Sequence, residues 1–267
     1  MRSAKSLGQH FLVDEAALEA IVEAAELSAG DDVLEVGPGP GVLTRRLAAV
    51  TRSVTAIEVD ARMVAVAAEA LVEQRNVRIV HADALAVDLF SAGERPPSRI
   101  VANLPYQITS PLLHRFLGDP RRPPLVVVLV QEEVARRMAA TAAHARERSF
   151  LSVFVQSFAE PRLVRRVPAG SFLPPPRVSS AVVALRTLAR PAFAPLDQAA
   201  FLRFVSDVFR HRRKQVRAAL GHEAGVDRER ATAALDAAGI TAERRPEELS
   251  LDEWVRLARE VGVPEAA

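Results

Sequence analysis

The chain has 267 residues, 49% of them apolar, a net charge of +2 and no cysteine. That length suits one large unit and one small one, each with a buried core, and the lack of cysteine excludes disulfides and thiolate metal sites. The longest apolar run, Leu125 to Val130, falls far short of the roughly 20 residues of a membrane-spanning helix. No apolar signal core follows Met1-Arg2-Ser3-Ala4-Lys5, so the expected location is the cytoplasm, with no membrane partner.

In chain order, Asp14 is placed to cap a helix whose Leu18, Ile21, Val22 and Ala25 share one face. Val33 to Val36 reads as a strand running into Gly37-Pro38-Gly39-Pro40-Gly41, followed by a helix from Leu43 to Val50. Strands are expected at Val54 to Val59, which brings Glu58 and Asp60 to its end, and at Val77 to Val80, ending near Asp83; Met63 to Val72 is helical between them. Ile100 to Ala102 forms a short strand, and Leu125 to Val130 another, whose unbroken apolar character predicts burial on both faces. Val164 to Val167 and Ala181 to Leu185 read as a late pair closing one sheet edge.

Strands alternating with helices predict an α/β fold: a doubly wound, mostly parallel sheet of seven strands, Rossmann-like in outline. The proline-bearing stretch from Arg190 to Pro195 divides residues 1–190 from a small all-α unit at 195–267. Its helices are expected at Asp197 to Leu220, Asp227 to Ala238 and Leu251 to Val261.

Glycines between a strand and a helix let the chain turn sharply and let a ligand approach the backbone, and the helix start offers free N–H groups. A dinucleotide fingerprint, G-x-G-x-x-G, needs glycine at position 42, where Val42 stands. The G-x-G-x-G spacing of Gly37, Gly39 and Gly41 instead looks like the methyltransferase version, which cradles a methionine moiety. Glu58, acceptor-only and bidentate, suits the two hydroxyls of a ribose, and Asp83 suits an adenine amine. Either acid alone equally suits a solvated loop. Three such features at successive strand ends point to a cofactor site on the edge where doubly wound sheets bind ligands.

Asn103-Leu104-Pro105-Tyr106 leaves the fourth strand. The exocyclic amine of adenine is a poor nucleophile because its lone pair is delocalised into the ring. Two acceptors on its hydrogens, the Asn103 side-chain oxygen and the Leu104 carbonyl, favour a pyramidal nitrogen with a freer lone pair. Pro105 stiffens the turn, and Tyr106 is suited to stacking on an extruded base. Phe172, held by the stiff Pro174-Pro175-Pro176 run, is a candidate second stacking face or a core residue.

These residues resemble a family. Leu7-Gly8-Gln9-His10-Phe11-Leu12, Glu35-Val36-Gly37-Pro38-Gly39, Asn103-Leu104-Pro105-Tyr106 and Gln131-Glu132-Glu133-Val134 with Arg137-Met138 occur in the order seen in KsgA/RsmA ribosomal RNA adenine dimethyltransferases. So do Val167 through Phe172, Pro174-Pro175-Pro176-Arg177-Val178 with Ser180-Ala181-Val182-Val183, and Arg212-Arg213-Lys214 through Arg217. The likeness spans Lys5 to about Leu220 and implies a class I methyltransferase fold that uses S-adenosyl-L-methionine. It further implies dimethylation of two adjacent adenosines in a hairpin near the 3′ end of small-subunit (16S) ribosomal RNA. Cofactor contacts would fall on His10, Leu12, Gly37, Glu58, Asp83 and Asn103, with Gly39 in the same turn; target contacts would fall on Asn103, Leu104, Tyr106 and Phe172. The chain departs from the family at His10, where asparagine is usual, at Arg148-Ser149, where Tyr-Gly is usual, and at Gln107.

Arg210, Arg213, Lys214 and Arg217, with Arg203, are expected on one face of the helix from Asp197 to Leu220, opposite a stripe of Phe201, Val205, Val208, Val216 and Leu220. Beside an adenine-amine site this basic block suits RNA phosphates; Arg121-Arg122 is a second basic pair. The expected partner is ribosomal RNA within an immature small subunit, engaged by a monomer. Three alternatives stand: a large-subunit methyltransferase of the macrolide-resistance type, a non-catalytic RNA-binding assembly or transcription factor, and a nicotinamide oxidoreductase. Val42 disfavours the last.

Overall fold

The computed structural model describes residues 10–223 and 226–266, so Lys5, Leu7, Gly8 and Gln9 of the resemblance, and the segment searched for a leader, lie outside it. Strand β1 (Phe11–Leu12) is followed by Asp14, whose carboxylate accepts from the Ala17 N–H at 3.1 Å and starts α1 (Glu15–Ala24) as predicted. Strands and helices then alternate: β2 (Asp32–Val36), α2 (Val42–Ala48), β3 (Ser53–Glu58), α3 (Ala61–Ala70) and β4 (Val77–His81). β5 (Arg99–Asn103), α4 (Thr109–Gly118), β6 (Leu125–Gln131) and α5 (Glu132–Ala139) follow. After α6 (Phe150–Phe158) come β7 (Ala159–Val167), β8 (Phe172–Leu173) and β9 (Ser180–Thr187).

Seven strands form one sheet in the order β4-β3-β2-β5-β6-β9-β7, while β1 and β8 pair separately as an antiparallel ribbon. β2 to β6 run parallel, and β9 lies antiparallel on β6 from Leu125↔Arg186 to Gln131↔Ser180. The expected late pair therefore closes the sheet at one edge. Leu125 to Val130 are all buried, because helices and sheet neighbours cover β6 on both faces. The order reverses between β2 and β5. Their C-terminal ends bring the glycine turn after Val36 and the Asn103 turn to the same edge.

The chain divides into two units differently from the predicted 1–190 and 195–267. One comprises the described residues up to Ala135 with Pro161–Thr187; the other comprises Arg136–Glu160 and the described residues from Leu188 onward. The segment 136–160 joins the second unit because its apolar side chains pack there. Phe154 and Phe158 pack at a tilt with ring centroids 5.2 Å apart, Phe158 meets Phe193 edge-on at 5.4 Å, and Phe193 lies on Phe201 at 4.8 Å. The helices of the second unit's C-terminal part are α7 (Gln198–Arg210), α8 (Val216–Glu223), α9 (Arg228–Ala237) and α10 (Leu251–Glu260). The single helix expected from Asp197 to Leu220 is thus two. The chain turns over residues 211–215, and the Val216 N–H donates to the Arg244 carbonyl at 2.7 Å. The stripe of Phe201, Val205, Val208, Val216 and Leu220 is nevertheless buried throughout. Among the described residues no helix is long and apolar enough to cross a membrane.

Candidate active site

The glycine turn is locked to the end of β3 by the Gly37 N–H, which donates to the Ile57 carbonyl at 2.9 Å. Gly37 has φ +75°, a left-handed conformation that a side chain would strain. A Cβ there would project toward the Asn103 carbonyl and the Pro105 ring, each 3.8 Å away. The turn and the Asn103 segment thus form two walls of a cradle that any side chain at position 37 would begin to fill. Gly39, at φ +53°, lies against the Phe11 ring of β1.

Glu58 ends β3 with a side chain that is only 6% exposed. Its Oε1 accepts from the Val59 and Asp60 N–H groups, both at 2.9 Å, and Oε2 turns toward the Gly39 N–H at 3.4 Å. Backbone donors therefore fix the carboxylate and leave lone pairs for hydroxyls. Asp83 is exposed just beyond β4, one oxygen held by the Leu85 N–H at 2.8 Å.

Asn103 ends β5, and Leu104 is buried with its N–H on the Leu129 carbonyl at 3.0 Å. Among the described residues no protein group bonds the Asn103 carboxamide or the Leu104 carbonyl. Pro105 carries the chain into a short turn of helix, where the Tyr106 hydroxyl meets the Ser180 hydroxyl at 2.7 Å. The half-buried phenol is pushed above its ordinary pKa by desolvation, so it stays neutral. His10 donates from Nδ1 to the Pro174 carbonyl at 2.8 Å, since a carbonyl only accepts. The His10 and Tyr106 rings stack at 6.0 Å. Leu12 pairs with Phe172 across the ribbon, and Phe172 is 3% exposed: it belongs to the core as well as to the cleft wall.

Every cofactor and catalytic residue predicted from the sequence lines one cleft of about 290 Å³ within the first unit. Two polar residues without a predicted role bear on the site: Glu35, which lines the cleft, and Ser180, which supports it from behind. Ser180 is fully buried and holds Tyr106. Glu35, in the middle of β2, is fully buried, with Oε2 lacking a hydrogen-bond partner among the described residues. Desolvation pushes its carboxyl up to about 8; the Thr44 hydroxyl opposes this and the Glu58 charge adds to it. A lone acid inside the apolar run Val33-Leu34-Glu35-Val36 was the signal that could have found it.

The basic residues are placed differently from the prediction. Arg213 and Lys214 are exposed on the turn between α7 and α8, Arg210 ends α7 within 3.5 Å of Asp207, and Arg217 is half-buried on α8. They do not share one helix face, because the helix breaks among them. Arg121 is bound by Asp88 and Asp119 and lies 5.0 Å over the Phe90 ring, so its charge is already balanced, and Arg122 is half-buried. The pair makes a poor phosphate site.

A sequence profile of the family described as ribosomal RNA adenine dimethylase matches residues 1–262. The chain is 39% identical over 258 residues to ribosomal RNA small subunit methyltransferase A of Dehalococcoides mccartyi, covering 96% of this chain and 88% of the relative. It is 39% identical to the protein of the same name from Nostoc sp., covering 98% and 99%. Among solved structures, a dimethyladenosine transferase from Plasmodium falciparum superposes with a TM-score of 0.81 at 23% identity over 95% of this chain and 99% of that one, a likeness of fold. The 23S rRNA methyltransferase ErmE follows at a TM-score of 0.71 and 32% identity, over 94% and 99%. With that profile spanning nearly its whole length, the chain belongs to the ribosomal RNA adenine dimethylase family.

Proposed function

We propose that this chain transfers methyl groups from S-adenosyl-L-methionine to the exocyclic amines of two adjacent adenosines, in a hairpin near the 3′ end of small-subunit (16S) ribosomal RNA. It acts as a monomer on an immature small subunit. The observation that carries the reading is the pair of unengaged acceptors, the Asn103 carboxamide and the Leu104 carbonyl, in the same cleft as the Glu58 carboxylate.

The cofactor fits the residues present. The bare Gly37 and Gly39 backbone leaves room for a methionine moiety, Glu58 accepts from ribose hydroxyls, Asp83 accepts from an adenine amine, and His10, Leu12 and Asn103 complete the wall. When bound, it supplies an electrophilic methyl on a sulfonium, an excellent leaving group. Asn103 and Leu104 grip the two hydrogens of the target amine and direct its lone pair. Tyr106, tethered by Ser180, stacks on the base, with Phe172 as the second wall. The methylated nitrogen releases its proton to water, so no side chain needs to act as a base beforehand and catalysis is chiefly positioning. The exposed Arg213 and Lys214, with Arg210 and Arg217, hold RNA phosphates.

The 32% identity to ErmE favours one second reading, action on the large subunit. Incubating isolated small and large subunits with the protein and cofactor, then mapping modified nucleosides by mass spectrometry, separates the two. Dimethyladenosine in the small-subunit 3′ hairpin is expected. Modification confined to the large subunit, or none in either, overturns the proposal.

A further inference from the structure

The edge of the sheet carries charge for which the proposed chemistry has no use. β7 is the last strand in the order, and Arg162, Arg165 and Arg166 are exposed along it with Leu163 between them. Charged side chains on an edge strand deter pairing with another edge, but that purpose is indifferent to sign, and beyond Glu160 at its start the charged residues of this strand are all arginine. Arg166 is engaged, its Nε on Glu132 at 2.8 Å and its Nη2 on the Ser179 hydroxyl at 2.9 Å. Arg162 and Arg165 make no ion pair among the described residues.

The strand leads directly to the cleft. After Val167 the chain reaches Ser171, whose hydroxyl donates to Asp14 at 2.6 Å, and then enters β8. Arg165 is close enough to Asp14 to favour its charged form, behind the larger effects of Ser171 and the Ala17 amide. In the β1–β8 ribbon Leu12 and Phe172 turn inward. Leu173 and the neighbouring Val13 are 65% and 51% exposed, and Arg177 and Val178 follow on the surface. The His10 bond to Pro174 ties this rim to the wall that holds Tyr106. Exposed apolar side chains set among unpaired arginines at the rim of a cleft call for a ligand with both phosphates and flat apolar faces.

We propose that the outer edge of β7 and the exposed side of the β1–β8 ribbon form a docking track for the single-stranded RNA that flanks the target adenosine. The inference rests on the reading of the substrate as RNA. Extruding one base leaves its neighbours unstacked, and single strands are held by cations along the backbone together with side chains against the bases. Arg162, Arg165 and Arg177 take the phosphates, and Leu173 and Val178 take the bases. Arg162 to Arg165 covers roughly 10 Å of strand at the usual rise, room for more than one phosphate.

The test uses the full chain and an oligoribonucleotide copying the 3′-terminal hairpin of small-subunit ribosomal RNA, with affinity measured across a salt series. In the R162A/R165A variant the slope of log affinity against log salt is expected to shrink by about 1.4, from two lost single-strand phosphate contacts at ~0.7 each. Cofactor affinity and the melting temperature stay at wild-type values. R162K/R165K restores the slope, as a phosphate contact requires and a packing role of arginine does not. Leu173→Ser weakens binding by less than the roughly fivefold or more that loss of an aromatic stack costs, with the slope unchanged because no counterion is released. An R162A/R165A protein with wild-type slope and affinity overturns the track while leaving the methyltransferase reading intact. A wild-type protein that neither binds this hairpin nor methylates small subunits overturns both.

Discussion

In the cleft, two carboxylates are held by backbone one or two residues away, Glu58 by Val59 and Asp60 and Asp83 by Leu85, while the Asn103 carboxamide and the Leu104 carbonyl are left open. The second unit is organised around packing. Its fully buried Arg148 reaches the Ala140 carbonyl at 2.7 Å and Gln156 at 3.2 Å, each eight residues away, and its aromatic rings pack tilted and edge-on against one another. Burial lowers that guanidinium to about 10, the Glu253 charge opposing the shift. One region spends its sequence on placing acceptors beside open space, the other on filling space. Substitutions should therefore separate: chemistry lost without stability in the first, stability lost without chemistry in the second.

The largest expected effect tests the packed side of that contrast. Trp254, fully buried and stacked on Phe209 at 5.3 Å, leaves a large cavity when cut to alanine. Trp254→Ala should lose about 3–5 kcal/mol of unfolding free energy in denaturant titrations, with cofactor affinity of the folded protein retained. Asn103→Ala should do the reverse, slowing methyl transfer about 10²- to 10³-fold, as for other deletions of a group that polarises the reacting centre, with an unchanged melting curve. Equal destabilisation by the two would break the comparison.

Glu35 crosses the divide, being a buried group in the functional region. Its folded pKa of about 8 lies above the ordinary 4.5, so the folded protein keeps a proton that the unfolded chain has lost. The favourable contribution is complete below pH 4.5 and disappears as pH climbs toward 8. Glu35→Gln should accordingly melt with wild type at pH 4.5 and gain an increasing advantage up to pH 8, on the order of a few kcal/mol. A constant gap across that window would show that ionisation is not the cause. The smallest effect is expected on the exposed turn between α7 and α8. R213A/K214A should flatten the salt dependence of RNA binding while sparing cofactor affinity and stability; an unchanged slope would remove these two side chains from the interface.

The strand order and the cleft were legible because their signals are local. Val33 to Gly41 spells a strand, a turn and a helix in succession, and Asn103-Leu104-Pro105-Tyr106 carries its geometry within four residues. What escaped depends on partners far along the chain. Nothing around Phe158 announces Phe193 as its neighbour, or Phe201 beyond it, so the contiguous domain boundary missed the segment 136–160. The turn at 211–215 was hidden by periodicity, since Val208 and Val216 keep helical phase across it, and it is the Arg244 carbonyl that meets the Val216 amide. Phe172 stayed ambiguous for a physical reason: it is at once core and cleft wall.

Because each unit is assembled from two separated stretches, synthesis of the chain imposes an order of events. β6 emerges from the ribosome about fifty residues before its antiparallel neighbour β9, and Phe154 precedes Phe201 by a similar interval. At roughly 5–20 residues per second, the nascent protein displays two unfinished apolar surfaces for several seconds, a window in which chaperones are expected to bind. A gene cut anywhere from 187 to 197 would leave β9 with β6 but make the second exposure permanent, with Phe154 and Phe158 on one fragment and Phe201 on the other.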